Sequence, residues 1–209
     1  RGINVNVTLI FGLDRYQQVM DAYVRGLQKL AQTEPAKVQD VASVASFFIS
    51  RVDSEIDKRL NGVGSDEALN LRGKAAIAQA KVAYEMFEQT FSGETWRSLA
   101  KLGAQVQRPL WASTSTKNPA YPDTMYVDEL IGAHSVNTLP DATLDAFSDH
   151  GTVAETITRD VEGARSVLQA LQHAGIEMTS VADQLESKGV VSFQQSFDEL
   201  LAVLEAKRK

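Results

Sequence analysis

The sequence predicts an α/β fold, a parallel sheet with helices packed outside it. Two observations carry this expectation. Stretches of strand character alternate along the chain with stretches whose apolar residues recur at three- and four-residue spacing. Turn and cap residues (Asp14, Asn61-Gly62, Pro140) fall between them. Strands separated by helices in this way belong to parallel sheets with crossover helices.

Residues 3–11 alternate, with Asn4, Asn6 and Thr8 on one side and Val5, Val7 and Leu9 on the other. Asp14 then reads as a helix cap, with Gln17 at capping-box spacing. The helix carries Tyr16, Val19, Met20, Tyr23, Val24, Leu27 and Leu30 on its apolar stripe. Residues 41–50 read as a second strand, and Asn61 to Asp66 as a loop. A long helix is expected over roughly residues 70–91, with Ile77, Ala80, Tyr84, Phe87 and Phe91 buried. Residues 106–114 make a third strand, with Pro109 near its start. Residues 134–139 make a fourth, stopped by Pro140. Asp141 caps a short helix ending near Gly151, and Val161, Ala164, Leu168 and Leu171 stripe the next, which stops near Gly175. Ser180 opens another that Gly189 closes, and Phe193, Phe197, Leu200, Leu201 and Leu204 stripe the last. Four strands in this order amount to half of an eight-stranded barrel.

Composition narrows the function. The 209 residues are 44% hydrophobic and 23% charged, enough for one domain with a real core. A net charge of −6 argues against a nucleic-acid binder, which usually presents a basic face. The basic tail Lys207-Arg208-Lys209 fits a helix C-terminus. With no cysteine, the chain has no disulfide, thiolate nucleophile or cysteine metal site. His134, His150 and His173 lie too far apart for a helical zinc motif. No apolar run of about 18 residues occurs, so no membrane span is expected. The chain opens Arg1-Gly2 without an initiator Met and runs straight into a strand, which predicts a truncated or processed start.

The polar side of the first strand bears on chemistry. Barrel interiors are normally filled with branched apolar side chains, so inward Asn4, Asn6 and Thr8 would need polar partners. Such an interior suits a sugar and a held water. Residues 2–11, Gly-Ile-Asn-Val-Asn-Val-Thr-Leu-Ile-Phe, resemble the fifth barrel strand of transaldolases. Residues 45–53, Ala-Ser-Phe-Phe-Ile-Ser-Arg-Val-Asp, resemble the sixth. Residues 108–119, Arg-Pro-Leu-Trp-Ala-Ser-Thr-Ser-Thr-Lys-Asn-Pro, resemble the seventh of the actinobacterial-type branch, and residues 136–140 with the following helix fit the eighth.

This resemblance covers the whole chain and implies a (β/α)8 TIM barrel. Residues 1–209 would be its C-terminal half, strands 5–8 plus C-terminal helices, in a single domain. It implies transfer of a dihydroxyacetone unit between sugar phosphates through a lysine Schiff base, without metal or organic cofactor, in the cytoplasm. The family's lysine lies on the fourth strand and its acidic residues on the first and third, all outside this sequence. The chain alone is therefore expected to be inactive, with the N-terminal half of the same protein as a separate partner segment. Asn6 and Thr8 match the pocket near the nucleophile, where the threonine helps hold a catalytic water. Ser46, Phe48 and Arg51 match the substrate-binding sixth strand. Ser115 and Lys117 match the end of the seventh, where many transaldolases carry arginine for the phosphate; lysine keeps the charge but loses the bidentate fork. A class I fructose-6-phosphate-type aldolase and a non-catalytic sugar-phosphate-binding fragment are the alternatives.

Several residues read more plainly. Trp111 belongs to strand or core packing, and His150 to a helix end. Asp53 and Asp57 read as a solvated helix face.

Overall fold

Stretches of β-branched, aromatic and small residues form the strands, and each strand runs into a helix. The computed structural model describes residues 2–208; Arg1, at the opening, and Lys209, in the basic tail, lie outside the described residues. Strand β1 (Val5–Ile10) leads to helix α1 (Leu13–Thr33) and a 3-10 turn (Pro35–Asp40). Strand β2 (Ser43–Phe48) leads to α2 (Ser50–Val63), α3 (Asp66–Leu69), α4 (Ala75–Thr90) and α5 (Glu94–Ala100). Strand β3 (Gln107–Ala112) is followed by α6 (Met125–Asp128), and β4 (Val136–Asn137) by α7 (Asp141–His150), α8 (Val161–His173) and α9 (Met178–Lys207). All pairings are parallel, in the order β1-β2-β3-β4.

The core lies between the sheet and its helices. Phe47 of β2 stands edge-on to Tyr16 of α1 at 5.6 Å and to Trp111 of β3 at 6.1 Å, and all three are fully buried. Edge-to-face pairs of this kind add to the large apolar area each ring removes from water. Trp111 thus packs in the core. Helix α2 presents Val52, Ile56 and Leu60, one turn apart and fully buried.

Several local expectations change. Asp14 is not a cap: Gly12 is the N-cap of α1, Asp14 sits in the first turn, and Gln17 donates to Asp21. Pro140, not Asp141, precedes α7, and Asp141 is its first residue. The long middle helix starts at Ala75. The fourth strand shrinks to Val136–Asn137, bounded upstream by His134 at φ 57° and downstream by Pro140. Val5 is exposed, not helix-packed, while Val7 and Leu9 are partly buried. The clean alternation of β1 breaks at Leu9, whose φ of 61° shifts the register so that Ile10 pairs with Phe47.

Gly189 does not end a helix. Helix α9 runs through it, and its missing side chain admits Leu9: a methyl at Gly189 would lie 2.9 Å from Leu9 Cδ2. Beyond this crossing, Val190, Phe193, Phe197, Leu200 and Leu204 are exposed along one stripe of α9. No described helix is long and apolar enough to cross a membrane.

The crossing generates a test. Gly189→Leu should destabilise the full-length protein by about 1–3 kcal/mol through overpacking. Gly189→Ala should be nearly neutral, since a helix-propensity gain of about 1 kcal/mol offsets a small shift of the Leu9 side-chain end. Urea midpoints decide the matter; equal losses in both variants would show that room beside Leu9 is not what the glycine supplies.

Candidate active site

Because the strands are parallel, the segments leaving their C-terminal ends gather along one rim. The pairing between β2 and β3 continues past the end of β2, where Ile49 N donates to Ala112 O at 2.9 Å, and then past both strands, where Ser50 N donates to Ser113 O at 3.0 Å. Ser113 turns into the left-handed region at φ 58°, and its Oγ lies 2.9 Å from Ser50 Oγ. Leu9 makes a similar left-handed turn at the end of β1. Such conformations cost on the order of 1 kcal/mol each in non-glycine residues.

The sheet face opposite the core carries the polar residues of β1. Asn6 is exposed, and its Oδ1 accepts a hydrogen bond from the buried Ser46 Oγ at 2.7 Å. Asn6 and Thr8 thus face away from the α1 side, and Thr8 is exposed. Phe48, at the end of β2, is half-buried, and the Arg51 guanidinium lies over its ring at 5.2 Å from the centroid. Arg51 has no carboxylate partner among the described residues.

The segment after β3 supplies the other rim groups. Thr114 is fully buried and donates to Asn137 Oδ1 at 2.7 Å, joining this segment to β4. The exposed Lys117 donates from Nζ to Ser115 Oγ at 2.6 Å and likewise lacks a carboxylate partner among the described residues. The seven residues singled out from sequence therefore fall in two sets. Asn6, Thr8, Ser46 and Phe48 stand on or at the end of β1 and β2. Arg51, Ser115 and Lys117 lie just beyond the neighbouring strands β2 and β3. Chemically, this arrangement offers hydroxyl and amide groups along one face and two cations at its rim.

Asp53 and Asp57 overturn an expectation. They are not a solvated face: Asp53 is 2% and Asp57 9% exposed. Asp53 accepts from Ala76 N at 2.8 Å and Tyr126 Oη at 2.7 Å. Asp57 accepts from Gly73 N at 2.9 Å and Tyr121 Oη at 2.6 Å. They flank the Val52–Ile56–Leu60 stripe by one position, a spacing visible in the sequence that could have marked them as inward. His150 ends α7 as expected and bridges Asp123 at 2.9 Å and Asp149 at 3.1 Å, which raise its pKa. Among the described residues no three His, Asp or Glu side chains gather as a metal-ion site.

Comparison with known proteins finds a match to the Transaldolase/Fructose-6-phosphate aldolase family over residues 1–204. The chain is 55% identical over 202 residues to the protein named Transaldolase in Parafrankia sp., covering 96% of this chain and 54% of that protein. To Transaldolase 1 of Streptomyces coelicolor it is 52% identical over 204 residues, 97% of this chain and 53% of that protein. To Transaldolase of Thermobifida fusca it is 50% identical over 201 residues, 96% and 54%. The chain thus spans about half the length of the curated relatives it matches.

The buried Asp53 makes stability depend on pH. Burial pushes its carboxyl up from 3.8 to about 6, the Tyr126 and Ala76 hydrogen bonds oppose this, and Asp57 adds to it. Lys58 and Lys117 line the same cavity. The folded chain holds this proton more tightly than the unfolded one, so the contribution is full below pH 3.8 and is lost as pH rises to about 6. Asp53→Asn removes the titration. Between roughly pH 4.5 and 7 the stability gap should move in favour of the variant by about 2 kcal/mol. Urea midpoints of the full-length protein at both pH values check this; a gap that ignores pH would return Asp53 to the ordinary carboxylate range.

Proposed function

Because the chain belongs to the Transaldolase/Fructose-6-phosphate aldolase family, we propose that the whole protein is a transaldolase. It moves a dihydroxyacetone unit between sugar phosphates, from sedoheptulose 7-phosphate to glyceraldehyde 3-phosphate. The four strands are the second half of a (β/α)8 barrel, and a segment outside residues 1–209 supplies strands 1–4 and the Schiff-base lysine. Two features support the half-barrel. The sheet ends in edge strands, β1 and β4. An apolar groove of about 580 Å³, lined by Ile3, Val5, Val7, Val19, Tyr23 and Leu27, runs beside β1 where a further element would pack. A single cytoplasmic domain accompanies this reading.

The observation that carries the function is a polar strand face, Asn6 against Ser46, leading to two cations, Arg51 and Lys117, that have no carboxylate partner among the described residues. A dianionic phosphate needs positive donors when it leaves bulk water. Arg51 and Lys117 meet it, with Ser115 beside Lys117 and Phe48 under the guanidinium. The Schiff-base lysine outside this chain adds to the ketose carbonyl, whose oxygen leaves as water. The iminium accepts the electron pair released by carbon–carbon cleavage, the resulting enamine carbon adds to the acceptor aldehyde, and water hydrolyses the imine to free the lysine and the product. Thr8 and Asn6 hold the water through which protons pass to the acidic residues outside this chain.

Two expected outcomes follow for the full-length protein. Borohydride reduction with fructose 6-phosphate should leave its covalent adduct outside residues 1–209, as read by peptide mass; an adduct on Lys117 would make that residue the nucleophile. Arg51→Ala should raise KM for phosphorylated donors by about 10- to 150-fold, the loss of one charge-assisted hydrogen bond of roughly 1.5–3 kcal/mol. KM for free dihydroxyacetone should barely change. Equal losses for both donors would remove Arg51 from phosphate binding. Cleavage without transfer to an acceptor aldehyde would replace the transferase by an aldolase.

A further inference from the structure

Arg51 and Lys117 stand on different elements, and a clamp for one phosphate needs their separation to be held. Arg51 lies in the first turn of α2, a helix anchored in the core. Lys117 lies in the stretch between β3 and α6, which has neither helix nor strand to stiffen it. The same helix that carries Arg51 carries Asp53 and Asp57, and each binds a tyrosine near or beyond Lys117: Tyr121 on Asp57 and Tyr126 on Asp53.

We propose that Asp53 and Asp57 are positioning residues that, through Tyr126 and Tyr121, hold the Lys117 segment at a fixed span from Arg51 and so set the geometry of the anion clamp. The proposal rests on the phosphate-binding reading above and adds the device that makes it rigid. The coupling is short. Between Lys117 and Tyr121 the chain closes on Asn118, whose Oδ1 accepts from Ala120 N at 3.0 Å and whose carbonyl accepts from Tyr121 N at 3.1 Å. Thr116 Oγ1 donates to the carbonyl of Asp123 at 3.1 Å. Lys117, Asn118, Asp57, Tyr121 and Tyr126 line one cavity of about 320 Å³.

The tether is also built from its far side. The second oxygens of Asp53 and Asp57 bind Ala76 N and Gly73 N, so neither carboxylate is free to swing. Gly73 has φ 70°, and a methyl there would lie 2.7 Å from Tyr121 Cζ; the glycine is what seats the ring. Two adjacent buried carboxyls are an expensive way to stabilise a fold, and apolar residues of similar size usually do as well or better. Their distinctive property is direction: each fixes a hydroxyl to within hydrogen-bond tolerance.

The test uses the full-length protein. Tyr121→Phe keeps the ring and removes the bond to Asp57; Gly73→Ala displaces the ring and also strains the left-handed backbone whose N–H binds Asp57. Tyr84→Phe, which deletes a tyrosine hydroxyl bond to Ala133 O away from the rim, serves as the structural control. KM for a phosphorylated donor and the inhibition constant of inorganic phosphate should both weaken roughly tenfold in Tyr121→Phe. kcat and KM for free dihydroxyacetone should stay unchanged, Gly73→Ala should follow the same pattern, and Tyr84→Phe should not. Asp57→Asn, which keeps an acceptor, should lie between wild type and Tyr121→Phe. If Arg51→Ala abolishes the preference for phosphorylated donors while Tyr121→Phe behaves like Tyr84→Phe, the tether is wrong and the clamp stands. If the wild-type protein shows no such preference and no inhibition by phosphate, the clamp itself fails and takes the tether with it.

Discussion

Four strands run in one direction, and the hydrogen bonds between the central pair do not stop where the strands do. Beyond the end of β2, Ile49 still donates to Ala112, the last residue of β3, and Ser50 to Ser113 after it. That parallel register governs the rest of the molecule. It puts every strand's C-terminal end at the same rim, and it aligns the starts of α2 and of the segment after β3. In an antiparallel arrangement Arg51 and Lys117 would leave the sheet at opposite ends.

Helix α2 converts that register into a site. Val52, Ile56 and Leu60 bind it to the core, so its first turn, with Arg51, cannot move independently of the sheet. Asp53 and Asp57, one residue further round the helix, carry the same rigidity outward to Tyr126 and Tyr121. The energetics are mixed by design of the chemistry: apolar burial stabilises one face, while the buried carboxyls beside it exchange hydration for four directed hydrogen bonds.

The molecule also leaves apolar surface and a strand edge open. The edge of β1, the apolar groove between β1 and α1, and the exposed stripe of α9 beyond Gly189 are each apolar or rich in unpaired backbone. Edge strands and large apolar stripes are liabilities when left open. They accord with the proposed barrel and with a chain about half as long as the relatives it matches.

The sequence by itself determined the four strands and the longer helices; it missed the 3-10 turn and the short helices α3, α5 and α6, and it read as loop the end of α2 at Asn61–Val63. Period-two alternation marks Asn6 and Thr8 as one side of β1, and three- and four-residue spacing marks the stripe of α1 with Tyr16, Met20, Leu27 and Leu30. These depend only on neighbours along the chain, which is why they are legible there. Only the tertiary structure decided the rest. Gly189 looks like a helix stop but is a contact point for Leu9, because whether a glycine ends a helix or admits a neighbour depends on what lies opposite. Asp53 and Asp57 look solvated because carboxylates usually are. They are buried because Tyr126 and Tyr121, 73 and 64 residues further along the chain, come to rest on them. A pattern of spacing shows which side of a helix is set apart, but the partner that docks on that side is chosen by the path of the chain through three dimensions.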